Sequence, residues 1–254
     1  MDINMDLKEA LKYLVDMGES QLKIERVMLP DGTEQVYSNT RLERLDKHIF
    51  MAKGMRMSTL TSLVDYIKGN IDTMADRMVI HVEGPEKVSL FSRLNEKRER
   101  EYLVEVNALV PEFRYGRFID HEEFVIGVQS KFVGDTGTDK DLILKFAGTV
   151  EQKSIAEYGD DGVTQKATIR TGVASKADAV VPNPVRLRPY RTFMEVEQPV
   201  SEFVFRMSED SKGGIACALF EADGGAWKNT AMKNIKDYLE FELADHKGQF
   251  TVIS

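Results

Sequence analysis

The chain has 254 residues, 42% of them hydrophobic, with 13 Phe and 8 Tyr, which excludes a disordered chain and permits a packed core without metals or disulfides. The net charge of −8 makes a broad basic surface for nucleic acid unexpected, although one local basic strip remains compatible with it. No apolar run approaches the roughly 20 residues that span a bilayer, so no membrane association is expected.

The N-terminal part of the chain predicts one helix and one β-hairpin. Apolar residues spaced three and four apart predict a helix over Asp6–Met17 that ends at Gly18. Alternating apolar and polar residues over Leu22–Val27, and again at Val36–Tyr37, predict two strands. Pro30–Gly32 lies between them and is typical of a tight turn.

A second helix and a group of strands are predicted next. Ser58 is expected to cap a helix over Ser58–Asn70. The apolar face of this helix consists of Leu60, Leu63, Val64 and Ile67. Strands are predicted at Met78–Val82, Val88–Phe91 and Glu101–Leu109. In the last strand the alternation places four side chains on one face, namely Tyr102, Val104, Val106 and Ala108. The charged stretch Arg93–Arg100 predicts a solvated turn.

Two helical segments are predicted in the middle of the chain. Asp120 or His121 begins a helix that runs to about Phe132, with acidic residues in its first turn that suit the helix dipole. Asp141–Ala147 is compatible with a short helix, although its pattern leaves the type of element open.

The second half of the chain is rich in predicted strands and ends with the clearest helix. Glu151–Glu157 and Val163–Thr171 flank the turn residues Tyr158–Gly162, which predicts a hairpin. Further strands are predicted at Val185–Tyr190, Phe203–Met207, Gly214–Phe220 and Phe250–Ile253. Apolar residues at three- and four-residue spacing predict a long helix over Trp227–Leu243.

Helices at both ends and strands in the middle, without a regular strand–helix–strand rhythm, indicate an α+β fold. We therefore expect a largely antiparallel sheet with N-terminal helices and a long C-terminal helix. A boundary is expected between a small N-terminal module of residues 1–55 and a main domain of residues 56–254, although one continuous domain is also compatible with the pattern.

Signals for catalysis or metal binding are poor in the sequence. Asp160 and Asp161 are paired carboxylates that suit a metal, but a hairpin turn is a sufficient explanation for them. The four histidines are far apart and lack the spacing of zinc ligands, and no phosphate-binding glycine loop or nucleophile elbow occurs. The single cysteine, Cys217, lies in an apolar run, which predicts a buried thiol. We therefore expect no enzyme activity, no metal and no cofactor. The lone cysteine and the acidic start Met1–Asp6 predict a cytoplasmic protein.

The segment Val181–Phe193 is the most informative stretch for function. It reads VPNPVRLRPYRTF, in which arginines alternate with apolar and aromatic residues. In an extended strand Arg186 and Arg188 point to the same face, and Arg191 follows with Tyr190 beside it. Guanidinium groups bind phosphate oxygens and aromatic rings stack on bases. These four residues are therefore the predicted ligand-binding site.

A structural role is the alternative interpretation of the same arginines. Glu195, Glu197 and Glu202 lie close by in the sequence, and a neighbouring strand would let them pair with the arginines. Cross-strand ion pairs of this kind hold a sheet together without binding a ligand. The sequence leaves both interpretations open.

This region resembles a family of phage and prophage proteins, the YfdQ-like family, which is defined by domain of unknown function 2303. The resemblance is carried by the segments Arg188–Phe193, Glu195–Pro199, Ser201 and Phe203–Arg206. In addition, Thr59–Ile67 is similar to a helix near the N-terminus of the family. Genes of this family lie in early regions of tailed phages, among replication and recombination genes. The resemblance therefore implies an early, non-virion role in the host cytoplasm, by association only. It implies no catalytic residues.

These observations predict a non-catalytic binding protein that engages a phosphate-bearing ligand. The ligand is either single-stranded nucleic acid in phage replication or recombination, or a host nucleotide immune signal that the protein sequesters. The alternative is a self-assembling structural oligomer without a small ligand. A homo-oligomer is expected, because exposed strand edges must be covered.

Overall fold

The structure is a computed structural model that describes residues 3–20, 24–28, 34–38, 51–74, 77–95, 97–149, 155–160, 165–171, 175–180, 183–209 and 214–254. The chain divides into two compact units, Met1–Met51 and Ala52–Ser254. None of the described helices is both long and apolar enough to cross a membrane.

The first unit contains a helix followed by a hairpin. Helix α1 spans Ile3–Ser20, and strands β1 (Ile24–Met28) and β2 (Glu34–Ser38) pair antiparallel. The predicted helix and hairpin are therefore confirmed, but the prediction that the helix ends at Gly18 is wrong, because the helix continues through Gly18 to Ser20. The predicted turn Pro30–Gly32 lies outside the described residues.

The second unit contains most of the helices and strands. Its helices are α2 (Leu60–Lys68), α3 (His121–Lys131), α4 (Lys140–Thr149), α5 (Ala226–Glu242) and a short 3₁₀ helix (Ala244–His246). Its strands are β3 (Met55–Met57), β4 (Met78–Gly84), β5 (Lys87–Phe91), β6 (Tyr102–Asn107), β7 (Ile119–Asp120), β8 (Ile155–Asp160), β9 (Gln165–Thr171), β10 (Ser175–Val180), β11 (Val185–Leu187), β12 (Ser201–Glu209), β13 (Ile215–Glu221) and β14 (Phe250–Ile253).

The described strands of this unit form three sheets. A five-stranded sheet has the order β14-β4-β5-β6-β3, in which the two outer pairs are parallel and the central pairs antiparallel. A four-stranded sheet, β11-β12-β13-β7, and a three-stranded sheet, β10-β9-β8, are antiparallel throughout. The predicted α+β fold with largely antiparallel strands is confirmed.

Helices α2 and α5 bury their apolar faces against one face of the five-stranded sheet. The whole predicted apolar face of α2 is buried in this core, together with Ile235 and Leu239 of α5. The N-cap of α2 is Thr59, whose side-chain oxygen accepts from the Ser62 N–H at 3.1 Å. The prediction that Ser58 caps this helix is therefore wrong by one residue.

Helices α3 and α4 pack with the four-stranded sheet around a second core that contains Phe124, Ile143 and Phe205. Helix α3 begins at His121, one of the two starts that the sequence left open. Asp120 is its N-cap, since the Asp120 carboxylate accepts from the N–H groups of Glu122 and Glu123 at 2.9 and 3.3 Å. Helix α4 shows that Asp141–Ala147, for which the sequence left the type of element open, is helical.

The remaining C-terminal predictions are largely confirmed. Helix α5 covers nearly the whole of the predicted helix Trp227–Leu243. Strands β8 and β9 pair antiparallel, but Tyr158–Asp160 belong to β8 and not to the turn, because their pairing with β9 continues to the end of the strand. Asp161–Gly162, the rest of the predicted turn, lie outside the described residues. Cys217 is buried in β13, and this burial raises the pKa of its thiol to about 12.

Candidate functional site

The predicted arginine segment forms an edge strand whose outer side is already occupied. The Arg186 N–H donates to the Asp139 carboxylate at 2.7 Å, and the Arg186 carbonyl accepts from the Asp139 N–H at 2.8 Å. The Val133 N–H donates to the Arg188 carbonyl at 2.8 Å. The chain between α3 and α4 thus covers the edge of β11.

Strand β11 is shorter than predicted. It ends at Leu187, and Pro189 makes only an isolated bridge with Phe132. Proline has no N–H to donate, so it cannot continue the ladder. Burial still alternates along the segment, which leaves both Arg186 and Arg188 off the core, as predicted.

Arg188 is held between two carboxylates of the chain itself. Its guanidinium lies 2.7 Å from Asp135 and 3.2 Å from Glu197, and 21% of the side chain is exposed. Charge-assisted pairs of this kind satisfy the same donors that a ligand phosphate would need. Arg188 therefore already has the partners that the structural interpretation of the sequence requires.

Arg191 is one of the most buried charged side chains among the described residues, at 6% exposure. Its guanidinium lies 2.6 Å from the Glu221 carboxylate, contacts the Ser201 hydroxyl, and stacks 3.8 Å from the ring centroid of Trp227. Burial lowers the pKa of Arg191, and the neighbouring acidic groups oppose that shift. A buried guanidinium with these partners braces the fold.

The chain on either side of Arg191 connects the two cores of the second unit. Phe193 and Val196 are buried in the core beneath the five-stranded sheet, whereas Leu187 is buried in the other core. The Gln198 side chain accepts from the N–H groups of Arg191 and Thr192 at 3.0 and 3.2 Å. The residues of this segment that carry the resemblance to the phage family therefore also have a structural role.

The four predicted ligand-binding residues do not share a set of partners. Tyr190 is partly buried, and its N–H donates to the Lys131 carbonyl at 2.9 Å. The Arg186 side chain is exposed, with Glu202 as its cross-strand neighbour. Glu195 contacts the Thr61 N–H at 3.1 Å and none of the arginines among the described residues.

A second surface, which the sequence did not single out, is centred on Tyr102. Its side chain is 58% exposed, whereas Val104 and Val106 are buried. The prediction that these residues share one face is therefore wrong for Tyr102. The pairing of β5 with β6 shifts between Leu90 and Phe91, so Tyr102 stands opposite Phe91 and the alternation is interrupted.

Tyr102 belongs to an aromatic group on the outer face of the five-stranded sheet, which we define as the face opposite α2 and α5. The Tyr102 and Phe91 rings lie 5.3 Å apart, and His81 lies 6.4 Å from Phe91. The Arg100 guanidinium sits 5.0 Å from the Phe91 ring centroid. The outer face thus carries one exposed ring supported by a buried one.

Cations are concentrated in the chain segment that leads to Tyr102 and in a second segment that adjoins it. Residues 52–57 and 92–102 together hold six Lys or Arg and three Glu, in a chain whose net charge is −8. The two segments adjoin, because the Ala52 N–H donates to the Glu101 carboxylate at 2.6 Å. We call Tyr102 and the exposed cations of these two segments the Tyr102 edge, which consists of Tyr102, Lys53, Arg56, Arg93, Arg98 and Arg100.

The same face contains a pocket of about 240 Å³ beside Tyr102. Its polar lining consists of Arg56, Glu83, Lys87, Ser89, Tyr102 and Glu105. The Lys87 ammonium lies 3.1 Å from Glu83 and 3.3 Å from Glu105. Hydrogen bonds from Ser89 and then Lys87 lower the pKa of Glu83, and those from Asn107 and then Lys87 lower the pKa of Glu105.

Within the described residues, no group of three His, Cys, Asp or Glu side chains is placed to hold a metal ion. Comparison with family models, with curated proteins and with solved structures finds no match for this chain. The resemblance to the YfdQ-like phage family therefore stays a prediction.

Proposed function

We propose that this chain binds single-stranded nucleic acid, without catalysis, at the Tyr102 edge. The observation that carries the proposal is the 58% exposed Tyr102 ring, which rests against Phe91, with Arg56 in the same pocket lining and Arg100 over Phe91. Proteins that bind single strands combine aromatic rings for the bases with cations for the phosphates. The Arg186–Arg191 segment is a poorer surface, because Arg188 and Arg191 are held in internal ion pairs.

A single strand fits this surface better than a duplex. Stacking on Tyr102 requires an unpaired base with a free face, and a duplex keeps its base faces covered. Arg56 on β3 shares a pocket lining with Tyr102, and the Arg100 guanidinium lies over the neighbouring Phe91 ring. These two cations suit the phosphates of the bound nucleic acid. The acidic remainder of the chain is compatible with a local basic strip.

The first prediction concerns Tyr102. Tyr102→Ala is expected to weaken binding of fluorescein-labelled thirty-nucleotide oligo(dT) by about 5- to 150-fold, which corresponds to the roughly 1–3 kcal/mol of one stacked base. Tyr102→Phe keeps the ring and is expected to bind like the parent protein. The measurement is fluorescence anisotropy at fixed salt, with the oligonucleotide recovered intact after incubation with Mg²⁺.

The matched control is Phe241→Ala, which removes an aromatic side chain on α5 that is 77% exposed. It is expected to leave the affinity for the strand unchanged. Equal affinities of the Tyr102→Ala and parent proteins would contradict the proposal, and so would equal losses in the Tyr102 and Phe241 variants.

The salt dependence of the binding affinity distinguishes a single strand of nucleic acid from a small nucleotide, the other phosphate-bearing ligand that the sequence allows. Log affinity for a single strand falls with log salt by about 0.7 for each phosphate neutralised. A double variant, Arg56→Ala and Arg93→Ala, is therefore expected to reduce the slope for the strand. If the ligand is instead a nucleotide held by few charges, its log affinity for the parent protein is expected to fall only slightly with log salt. The double variant is then expected to show the same slope as the parent protein.

A second candidate function is self-assembly through α1. Large apolar side chains on this helix are 43–67% exposed, and these are Leu7, Leu11, Tyr13, Leu14, Val15 and Met17. The helix holds two lysines and four acidic residues, so its charge does not suit an anionic lipid surface. We propose a second copy of the chain as the occupant, because an identical apolar stripe would pack against this one as knobs into holes.

A further inference from the structure

The pocket beside Tyr102 suits an uncharged ligand group. Arg56 and Lys87 contribute two positive charges to its lining, and Glu83 and Glu105 contribute two negative charges. The balance gives a phosphate no advantage inside the pocket. A neutral, polar ring can lie there against Tyr102 while its phosphates stay with the cations of the Tyr102 edge.

The lining also has a defined order of donor and acceptor. The Lys87 ammonium has three N–H donors. Among the described residues Glu83 and Glu105 accept from it at 3.1 and 3.3 Å, which leaves the third N–H for a ligand. Glu105 is ionised at neutral pH, because its hydrogen bonds with Asn107 and Lys87 lower its pKa, and it can only accept. A ligand that fits this pair best presents an acceptor for Lys87 beside two N–H donors, one for each oxygen of the Glu105 carboxylate.

Guanine has this arrangement on one edge. Its O6 accepts, and its N1–H and N2 amino group donate. Thymine and uracil present a single N–H between two carbonyl oxygens, so a carboxylate would face an oxygen and be repelled. Adenine and cytosine offer an amino donor but no acceptor–donor–donor order.

We propose that this pocket binds a guanine base of a single strand, stacked on Tyr102, with O6 accepting from Lys87 and the N1–H and amino group donating to Glu105. The inference rests on the proposed function and assigns base preference to the same site. Carboxylate-to-base pairs that use two hydrogen bonds discriminate by about 1–3 kcal/mol, which is about 5- to 150-fold in affinity.

The test uses the full chain and three labelled strands measured by fluorescence anisotropy: oligo(dT), the same strand with one central guanine, and the same strand with inosine at that position. The guanine strand is expected to bind about 5- to 150-fold more tightly than oligo(dT). The inosine strand, which lacks the amino group, is expected to fall between them.

Glu105→Gln is expected to abolish the preference for guanine, because the amide no longer accepts two N–H donors and no longer repels the thymine carbonyl oxygens, so the guanine strand and oligo(dT) are expected to bind the variant with similar affinity. Glu86→Gln, a neutralised glutamate that is exposed on the same hairpin but outside the pocket lining, is the matched control and is expected to keep the preference. If Glu105→Gln fails to fold, the inosine comparison in the parent protein decides the question.

Equal affinities of the parent protein for the guanine and oligo(dT) strands would overturn guanine selection and leave single-strand binding intact. A preference retained in Glu105→Gln would also overturn it. Failure of every strand to bind would overturn both proposals. If an equal concentration of free GMP displaced the guanine strand, the proposal that the guanine belongs to a strand would be wrong, and the pocket would bind the free nucleotide.

Discussion

At the scale of single residues, Arg191 is expected to contribute more to stability than to binding. Arg191→Met removes the contacts with Glu221, Ser201 and Trp227. Breaking a fully buried ion pair costs about 3–5 kcal/mol, and the cost here is expected to be about 2–4 kcal/mol because Glu221 is 40% exposed and can be hydrated. Urea unfolding measures this change in the free energy of unfolding.

Arg186→Ala is the control for Arg191, since it removes an exposed guanidinium from the same segment. Its effect on stability is expected to stay within about 0.5 kcal/mol. If Arg191→Met unfolds at the same urea concentration as the parent protein but loses affinity for the strand, the Arg186–Arg191 segment binds the ligand after all. The Tyr102 edge would then be the wrong surface.

At the scale of secondary-structure elements, Lys140 joins α4 to the end of α3. Lys140 is buried, and its ammonium donates to the carbonyls of Gln129 and Phe132 at 2.9 and 2.5 Å. These carbonyls lie at or just after the last turn of α3, where helical carbonyls lack partners within the helix. A lysine at this end also suits the helix dipole.

Lys140→Met is therefore expected to lower the free energy of unfolding by about 2–3 kcal/mol, the scale of hydrogen bonds from a charged donor. Lys236→Met is the control, because its pairing with Glu240 at 4.0 Å is partly exposed and lies within one helix. Its effect is expected to be below about 0.5 kcal/mol. Similar thermal midpoints for the two variants would contradict this role of Lys140.

At the scale of the whole molecule, the exposed apolar face of α1 predicts self-association. Sedimentation at micromolar concentration is expected to give at least twice the 28.8 kDa mass of one chain. Leu11→Glu with Leu14→Glu is expected to reduce this to a single chain, because two charges in the apolar stripe cannot be buried without partners. Lys12→Glu changes charge outside the stripe and is expected to leave the assembly intact.

A mass of 28.8 kDa for the parent chain would exclude the assembly. An unchanged mass for the Leu11 and Leu14 variant would place the contact on another surface. Assembly and strand binding are separable, because the Tyr102→Ala variant is expected to keep its mass.

The sequence by itself determined the elements whose signals are local. The apolar faces of α2 and α5, the cap of α3 at Asp120 and the burial of Cys217 all depend on residues within a few positions of one another. Periodicity reports which side chains leave water, because one helical face or one strand face packs as a unit. The α+β class follows from the order of those elements.

Only the tertiary structure decided what the arginines and Tyr102 face. Arg188 pairs with Asp135, and Arg191 pairs with Glu221. Each carboxylate is distant from its arginine in the chain and becomes its neighbour only when the sheet and helices have packed. Tyr102 leaves the buried face because of a register shift against β5, and register depends on the partner strand as much as on the strand itself. The charged stretch Arg93–Arg100 is evident in the sequence, where it predicts only a solvated turn. The exposure of the Tyr102 ring depends on the pairing with β5, because one shifted residue turns a side chain from the core to the solvent.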